Sequence, residues 1–375
     1  MIAFKFSTKE IRQMQQVATA KVSSIKEDIP ISARKITGFP VKRRPKLRKL
    51  SEADEEKVEE WFIESGIVIG NMAEITEQIA NAKRLLHTWK DCFAATMREI
   101  KPTDLVYHAI DLKPDSKPVY KRVLRYTVKE REFAARIFPE MEEAGILVRG
   151  ASEWGARSKF SFKKKGSDQL RVVHNFIPLN NCTMKPQYPG HRIEKVIDTI
   201  VKPKFGVFFS SDASNEYWAV PVRPGDEHKC AIVTPHGQYL YLRMEQGLKG
   251  AAATYTQFGD LVFGPLPKTD EVPAMPSLIG EQSNGQKAFS LFMNDHCESA
   301  TSFDFMFIFL HEKYFPRVAF GPVYLSGSKT FVFSDSLKMV GFTDGAGGLR
   351  PFIKHREKIL NWPEPANREE LNVII

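Results

Sequence analysis

Two aspartates carry the most suggestive chemistry in this chain. Asp212 closes the run KPKFGVFFSSD, and Asp295 follows AFSLFMN, so each stands where an apolar, strand-like stretch gives way to small or polar turn residues. About 80 residues separate them. Carboxylates presented from adjacent strand ends can hold two magnesium ions roughly 3.5–4 Å apart, the arrangement used for in-line phosphoryl transfer. Either aspartate alone would read as a turn former, so the chemistry rests on the pair.

The elements that must present this pair are recognisable in outline. From Thr127, TVKEREFAARIFPEMEEAG reads as a capped helix closed by Gly145, with Pro139 expected to kink or interrupt it. KFSFKKKG and QLRVVHNF read as a β-hairpin with a basic tip, Lys163 to Lys165. The strand that ends at Asp212 is expected to resume with Tyr217 and Trp218, and AIVTPHGQYLYLRM reads as a hairpin around His236-Gly237. A long loop is expected over 264–287. Beyond Asp295, the aromatic segment SFDFMFIFLHEKYF fits a helix or a strand, and VYLSGSKTFVF and KMVGF read as a strand pair.

Upstream, Ser51 and Asp54 form a capping pattern that predicts a helix from Glu52. Met72, Ile75, Ile79, Ala82, Leu86, Trp89, Phe93 and Met97 recur at helical spacing, which reads as packing along one face. LKPDSKPVYKRV is punctuated by prolines and reads as a linker near the main domain boundary. Before residue 50, PVKRRPKLRKL carries six basic side chains between Lys42 and Lys49, and its two prolines argue against a helix. Such a run suits nucleic-acid binding, nuclear import or a merely solvated arm.

A chain of 375 residues has material for two or three lobes and an ample core. Lys and Arg number 54 against 45 Asp and Glu, a net charge of +9 that favours a polyanionic partner, with nucleic acid ahead of an acidic membrane surface. No apolar run approaches the ~20 residues of a membrane span, and MIAFKFSTKEIRQ lacks the layout of a signal peptide. An intracellular protein is expected, in cytoplasm or nucleus. Cys92, Cys182, Cys230 and Cys297 lie far apart with no histidine at ligand spacing, so free thiols are expected rather than disulfides or zinc.

At this point the residues resemble a family. KKKGSDQLRVVHNFIPLN, FFSSDASNEYWAV, YLRMEQGLKGAAATYTQF, FMND and MVGFTDGAGGLRP follow the order and much of the spacing of the reverse transcriptase of gypsy-like LTR retrotransposons and retroviruses. The resemblance runs from YHAIDLKP at Tyr107 to the C-terminus. It implies an α+β right-hand polymerase at 107–375, with fingers at about 127–205, a palm at about 206–345 built on an antiparallel sheet flanked by helices, and only the start of a thumb at 346–375. A basic arm, 1–50, and a helical region, 51–106, would precede it. Protease, RNase H and integrase signatures are not found in these residues, so the resemblance implies a truncated product.

Residue by residue, the resemblance implies that Lys164 and Arg171 hold the triphosphate of an incoming deoxynucleotide and that Asp212 and Asp295 bind Mg2+, with Mn2+ as an alternative. Tyr217 would lie under the sugar and exclude a 2′-hydroxyl. Gln246 would contact the nucleotide, with Gly247 letting the backbone come close. Met339, Val340, Gly341 and Phe342 would grip the primer terminus. The implied partners are an RNA or DNA template-primer and deoxynucleoside triphosphates, with no membrane.

The chain also departs from the family. Where the pattern is an aromatic residue, any residue and two aspartates, it reads Phe292, Met293, Asn294, Asp295. An amide there keeps one carbonyl oxygen but removes a charge from a site that must neutralise two dications. A loss of about 4–6 kcal/mol of transition-state stabilisation would slow turnover roughly a thousandfold to ten-thousandfold. Glu216 stands where the family has glycine or alanine, and Asn175 and Ile177 replace Asp and Arg. Asp to Asn and Gly to Glu are each one G-to-A change, as expected of a decayed element copy. The expected function is therefore an RNA-directed DNA polymerase domain of a retrotransposon polyprotein, impaired at Asn294. The alternatives are a non-catalytic relic that binds template-primer and an inert polyprotein fragment.

Overall fold

The computed structural model of the protein describes residues 51–162, 168–265, 275–281, 285–339, 341–345 and 348–351, with positions 357, 360 and 361. The basic arm, the hairpin tip with Lys164, Val340 and most of the expected thumb segment lie outside these residues.

Helix α1, Glu52–Ser65, begins at the residue the capping pattern predicts, with the Ser51 hydroxyl accepting the Asp54 N–H at 3.3 Å and Gly66 closing the helix at φ +69°. A short strand β1, Val68–Ile69, precedes α2, Thr76–Thr88. The apolar stripe predicted from Met72 to Met97 is longer than this helix. Ile75 and Ile79 are exposed, and the buried face is Ala82, Leu85 and Leu86. At Trp89 the backbone leaves helical geometry, which lets the indole stack on Phe315 with centroids 5.9 Å apart and donate to His311 Nδ1 at 3.1 Å. Residues 101–127 contain no helix, yet bridges tie His108 to Val222, Leu112 to Thr183 and Tyr120 to Gly155. The proline-rich stretch is thus pinned along its length to the rest of the fold.

Helix α3, Val128–Glu143, is entered through a Thr127–Glu130 capping box and runs unbroken through Pro139. The carbonyl that proline leaves without its usual donor belongs to Ala135, which is exposed, so water can satisfy it. Strands β2 (Leu147–Arg149), β3 (Ala156–Phe162) and β4 (Leu170–Asn175) follow, then the short helix α4 (Ile177–Cys182), α5 (Ile193–Val201) and strand β5 (Val207–Asp212). The strand expected to resume at Tyr217 does not form. Asn215 takes a left-handed φ of +45° and the chain coils into a 3-10 turn, Glu216–Ala219.

Strands β6 (Ala231–Thr234) and β7 (Gly237–Tyr241) make the second predicted hairpin, and α6 (Ala251–Phe263) follows it. Strand β8 (Gly280–Glu281) pairs with β9 (Lys287–Phe292), which turns tightly into β10 (Asp295–Ala300). The aromatic segment is helical: α7 (Phe303–Phe309) passes through a π turn, Leu310–Tyr314, into α8 (Phe315–Phe320). The last described strands are β11 (Phe331–Ser334), β12 (Leu337–Met339), β13 (Phe342–Asp344) and β14 (Arg350–Pro351).

The architecture is α+β, with three largely antiparallel sheets among the described residues. Their orders are β1-β11-β5-β10-β9-β8, β2-β7-β6-β3-β4 and β12-β13-β14. Among the described residues, β11 and β12 do not pair with each other as expected for VYLSGSKTFVF and KMVGF. β11 joins β5 and β1 in the large sheet, while β12 pairs with β13. β5 carries the apolar residues Val207, Phe208 and Phe209, and it holds a flanking strand on each side. One continuous core runs from Leu85, Leu86 and Trp89 through Phe138 and Tyr241 to Phe209, Phe289 and Phe315. A small second core gathers Val196, Ile200, Phe208, Cys297, Leu337 and Met339.

Candidate active site

The two aspartates singled out in the sequence meet. β10 and β5 pair antiparallel with Asp295 directly opposite Asp212, and Phe292 lies opposite Asp295 across the adjoining hairpin. Only Met293 and Asn294 make that turn, and Met293 adopts φ +54°, a conformation that costs a non-glycine residue energy. The strained turn presents Asn294 to β5. Its Nδ2 donates to Asp212 Oδ2 at 3.0 Å, and its carbonyl accepts the Ala213 N–H at 2.9 Å.

The other Asp212 oxygen is also engaged. Lys329 Nζ donates to Oδ1 at 2.8 Å from a 3-10 turn, Gly327–Lys329, whose preceding Ser326 N–H donates to the Asp212 carbonyl at 2.9 Å. The turn approaches α1 so closely that a Cβ on Gly327 would lie 2.1 Å from the Ser65 carbonyl oxygen. Burial first, and then the charge of Asp212, pushes the Asp295 carboxyl above its ordinary pKa, against the opposing pull of Lys329. A cleft of about 160 Å³ opens over Asp212, Asp295 and Lys329, with Ser210, Cys297 and Lys338 also in its lining.

Lys329 was not recognised as a site residue from sequence. Phe331 lies opposite Ser210, so continuing that antiparallel register two residues back sets Lys329 level with Asp212. The signal is visible only once β11 is known to neighbour β5.

Of the other predicted residues, those that the structure describes lie outside the contacts of Asp212 and Asp295. Arg171 projects from the outer face of β4, where its Nε donates to Ser161 Oγ at 3.2 Å. Tyr217 is buried in the 3-10 turn after Asp212, its ring 5.7 Å from that of Tyr255. Gln246 is exposed on a turn that Asn180 braces by donating to the Gly247 carbonyl at 2.9 Å. Met339 is buried in the small core, Gly341 takes φ +87°, and Phe342 pairs with both Met339 and Pro351. Asn175 Oδ1 accepts the Ile177 N–H at 3.1 Å, and the Ile177 side chain is exposed. Among the described residues, no hydrogen bond or ion pair links Arg171 or Gln246 to the aspartates.

As they stand, these side chains do not fit a pair of magnesium ions. Such a site needs several anionic oxygens free to coordinate. Both Asp212 oxygens instead accept from protein donors, the neighbouring residue 294 is an amide, and the described residues hold no cluster of three carboxylate, histidine or cysteine ligands.

No protein-family model matches the chain. The Tf2-7 and Tf2-8 transposon polyproteins of Schizosaccharomyces pombe are each 25% identical to it over 229 residues, 61% of this chain and 16% of theirs. Among solved structures, the foamy viral protease-reverse transcriptase in complex with an RNA/DNA hybrid overlays with a TM-score of 0.65 at 15% identity, covering 88% of this chain and 40% of that one. Its complex with double-stranded DNA gives 0.66 at 16%, covering 88% and 62%. The chain is thus similar to transposon polyproteins and shares its fold with the foamy viral protease-reverse transcriptase. It spans only 16% of the length of the polyproteins it matches.

Proposed function

We propose that this chain is the fingers and palm of an RNA-directed DNA polymerase whose nucleotidyl transfer is impaired by Asn294. One observation carries the reading: Asp212 and Asp295 face each other across adjacent strands, and the residue beside them donates a hydrogen bond where its family counterpart would bring a negative charge. In this reading the incoming deoxynucleotide lies between the cleft and the fingers hairpin, with Arg171 and Lys164 toward its triphosphate, Tyr217 beneath its sugar and Gln246 beside it. The hairpin of Met339 to Phe342 holds the primer end. Magnesium, when bound by an intact site of this kind, would stabilise charge on the transferring phosphate. Of the facing pair, Asp212 has both carboxylate oxygens engaged by protein donors.

A second reading, a clamp that holds template-primer without chemistry, is favoured by the saturation of Asp212. Arg157, Lys159 and Arg171 alternate with buried residues along the fingers hairpin, which places three cations on its outer face. Phosphate contacts there would give sequence-independent affinity that falls with salt.

Primer extension on an RNA template with Mg2+ tests both. The native chain is expected to extend about a thousandfold or more slowly than Asn294→Asp or Asn294→Asp with Glu216→Gly, while all three bind the duplex equally in chelator. Extension by the native chain at the rate of the variants would refute impairment, and failure to bind duplex would remove the clamp.

A further inference from the structure

We propose that Asn294 and Lys329 together stand in for a divalent cation on Asp212, so that the folded cleft draws no stability from Mg2+. This rests on reading Asp212 and Asp295 as the metal-facing carboxylates of a polymerase palm. Carboxylates directly opposite each other on paired strands repel, and something cationic must offset that cost. Here the offset is internal. Lys329 supplies a full positive charge to Oδ1 and Asn294 an N–H donor to Oδ2.

Each donor is also anchored to backbone flanking Asp212. Ser326, three residues before Lys329, donates to the Asp212 carbonyl, and the Asn294 carbonyl accepts from Ala213. The two side chains are therefore held in register with the strand whose carboxylate they cap. Ionised Asp212 and Asp295 with Lys329 sum to one negative charge. An aspartate at 294 would double it and could not donate to Asp212, creating a site that needs a divalent ion.

Thermal unfolding of the full chain, in chelator and in Mg2+, tests this for the native protein, Asn294→Asp and Lys329→Met. The native Tm is expected to be the same in both conditions. Each variant should melt lower in chelator and recover by roughly 2–4 °C when Mg2+ is added. A native Tm that rises with Mg2+ as much as that of Asn294→Asp overturns the proposal, as does Asn294→Asp melting at the native temperature in chelator. Should the variants fail to fold, Mn2+ titration of the native chain followed by electron paramagnetic resonance decides. No uptake is expected at micromolar concentration, and uptake there overturns the inference. Failure of duplex binding or of repaired primer extension would remove the polymerase reading while leaving this melting pattern intact.

Discussion

Glu298 lies in the middle of β10 with both carboxylate oxygens buried and without a hydrogen-bond partner. Its strand neighbours are Phe289 and Phe209. Burial pushes its pKa well above the ordinary carboxylate value, only partly opposed by Lys287. A carboxyl raised in the folded state contributes stability fully at pH values below its unfolded pKa and loses it as pH rises toward the folded one. Glu298→Leu is therefore expected to stabilise the protein by about 1–4 kcal/mol at pH 8 and by much less at pH 5, read from urea unfolding at each pH. Equal effects at the two pH values would show that Glu298 is not held protonated. Asp212 and Asp295 were legible in the sequence because strand ends are marked by composition. The burial of Glu298 and the reach of Lys329 were not, because both depend on which strands become neighbours.

At the scale of elements, the small core joins four pieces that the sequence separates. Val196 and Ile200 come from α5, Phe208 from β5, Cys297 from the strand that begins at Asp295, and Leu337 and Met339 from β12, with Phe292 packed against them. The expected primer-grip hairpin is thus seated on the same apolar cluster as the aspartate turn. Met339→Ala should cost about 2–5 kcal/mol in urea unfolding and speed amide hydrogen exchange in β12 and β13 before the large sheet. Unchanged exchange in that hairpin would mean the cluster does not hold it. Hairpins and caps were readable here because turn and capping chemistry is local, as at Thr127 and His236-Gly237. The 3-10 turn at Glu216–Ala219 and the partner of β11 were not, since both are settled by contacts far along the chain.

Across the whole molecule, the resemblance begins at Tyr107 while the packing continues upstream of it. β1 is an edge of the sheet that carries the aspartates, Phe93 bridges Leu325, and Leu85, Leu86 and Trp89 belong to the main core. A chain starting at residue 107 would expose those contacts. It is expected to aggregate or to lose its cooperative transition, monitored by near-ultraviolet circular dichroism during thermal unfolding. A soluble chain with native signal and a sharp transition would show that 51–106 is dispensable. Helical periodicity announced these segments, but only tertiary contacts reveal that they complete the sheet.

The contact of Gly327 with Ser65 links that upstream region to the site. Because the turn bearing Lys329 rests on the last carbonyl of α1 without room for a methyl group, the ammonium at Asp212 is held at a depth fixed by a helix outside the strands that carry the aspartates. The electrostatics of the cleft are thereby geared to the seating of the N-terminal helix, and a partner that tilted α1 would retune the aspartate pair without touching it.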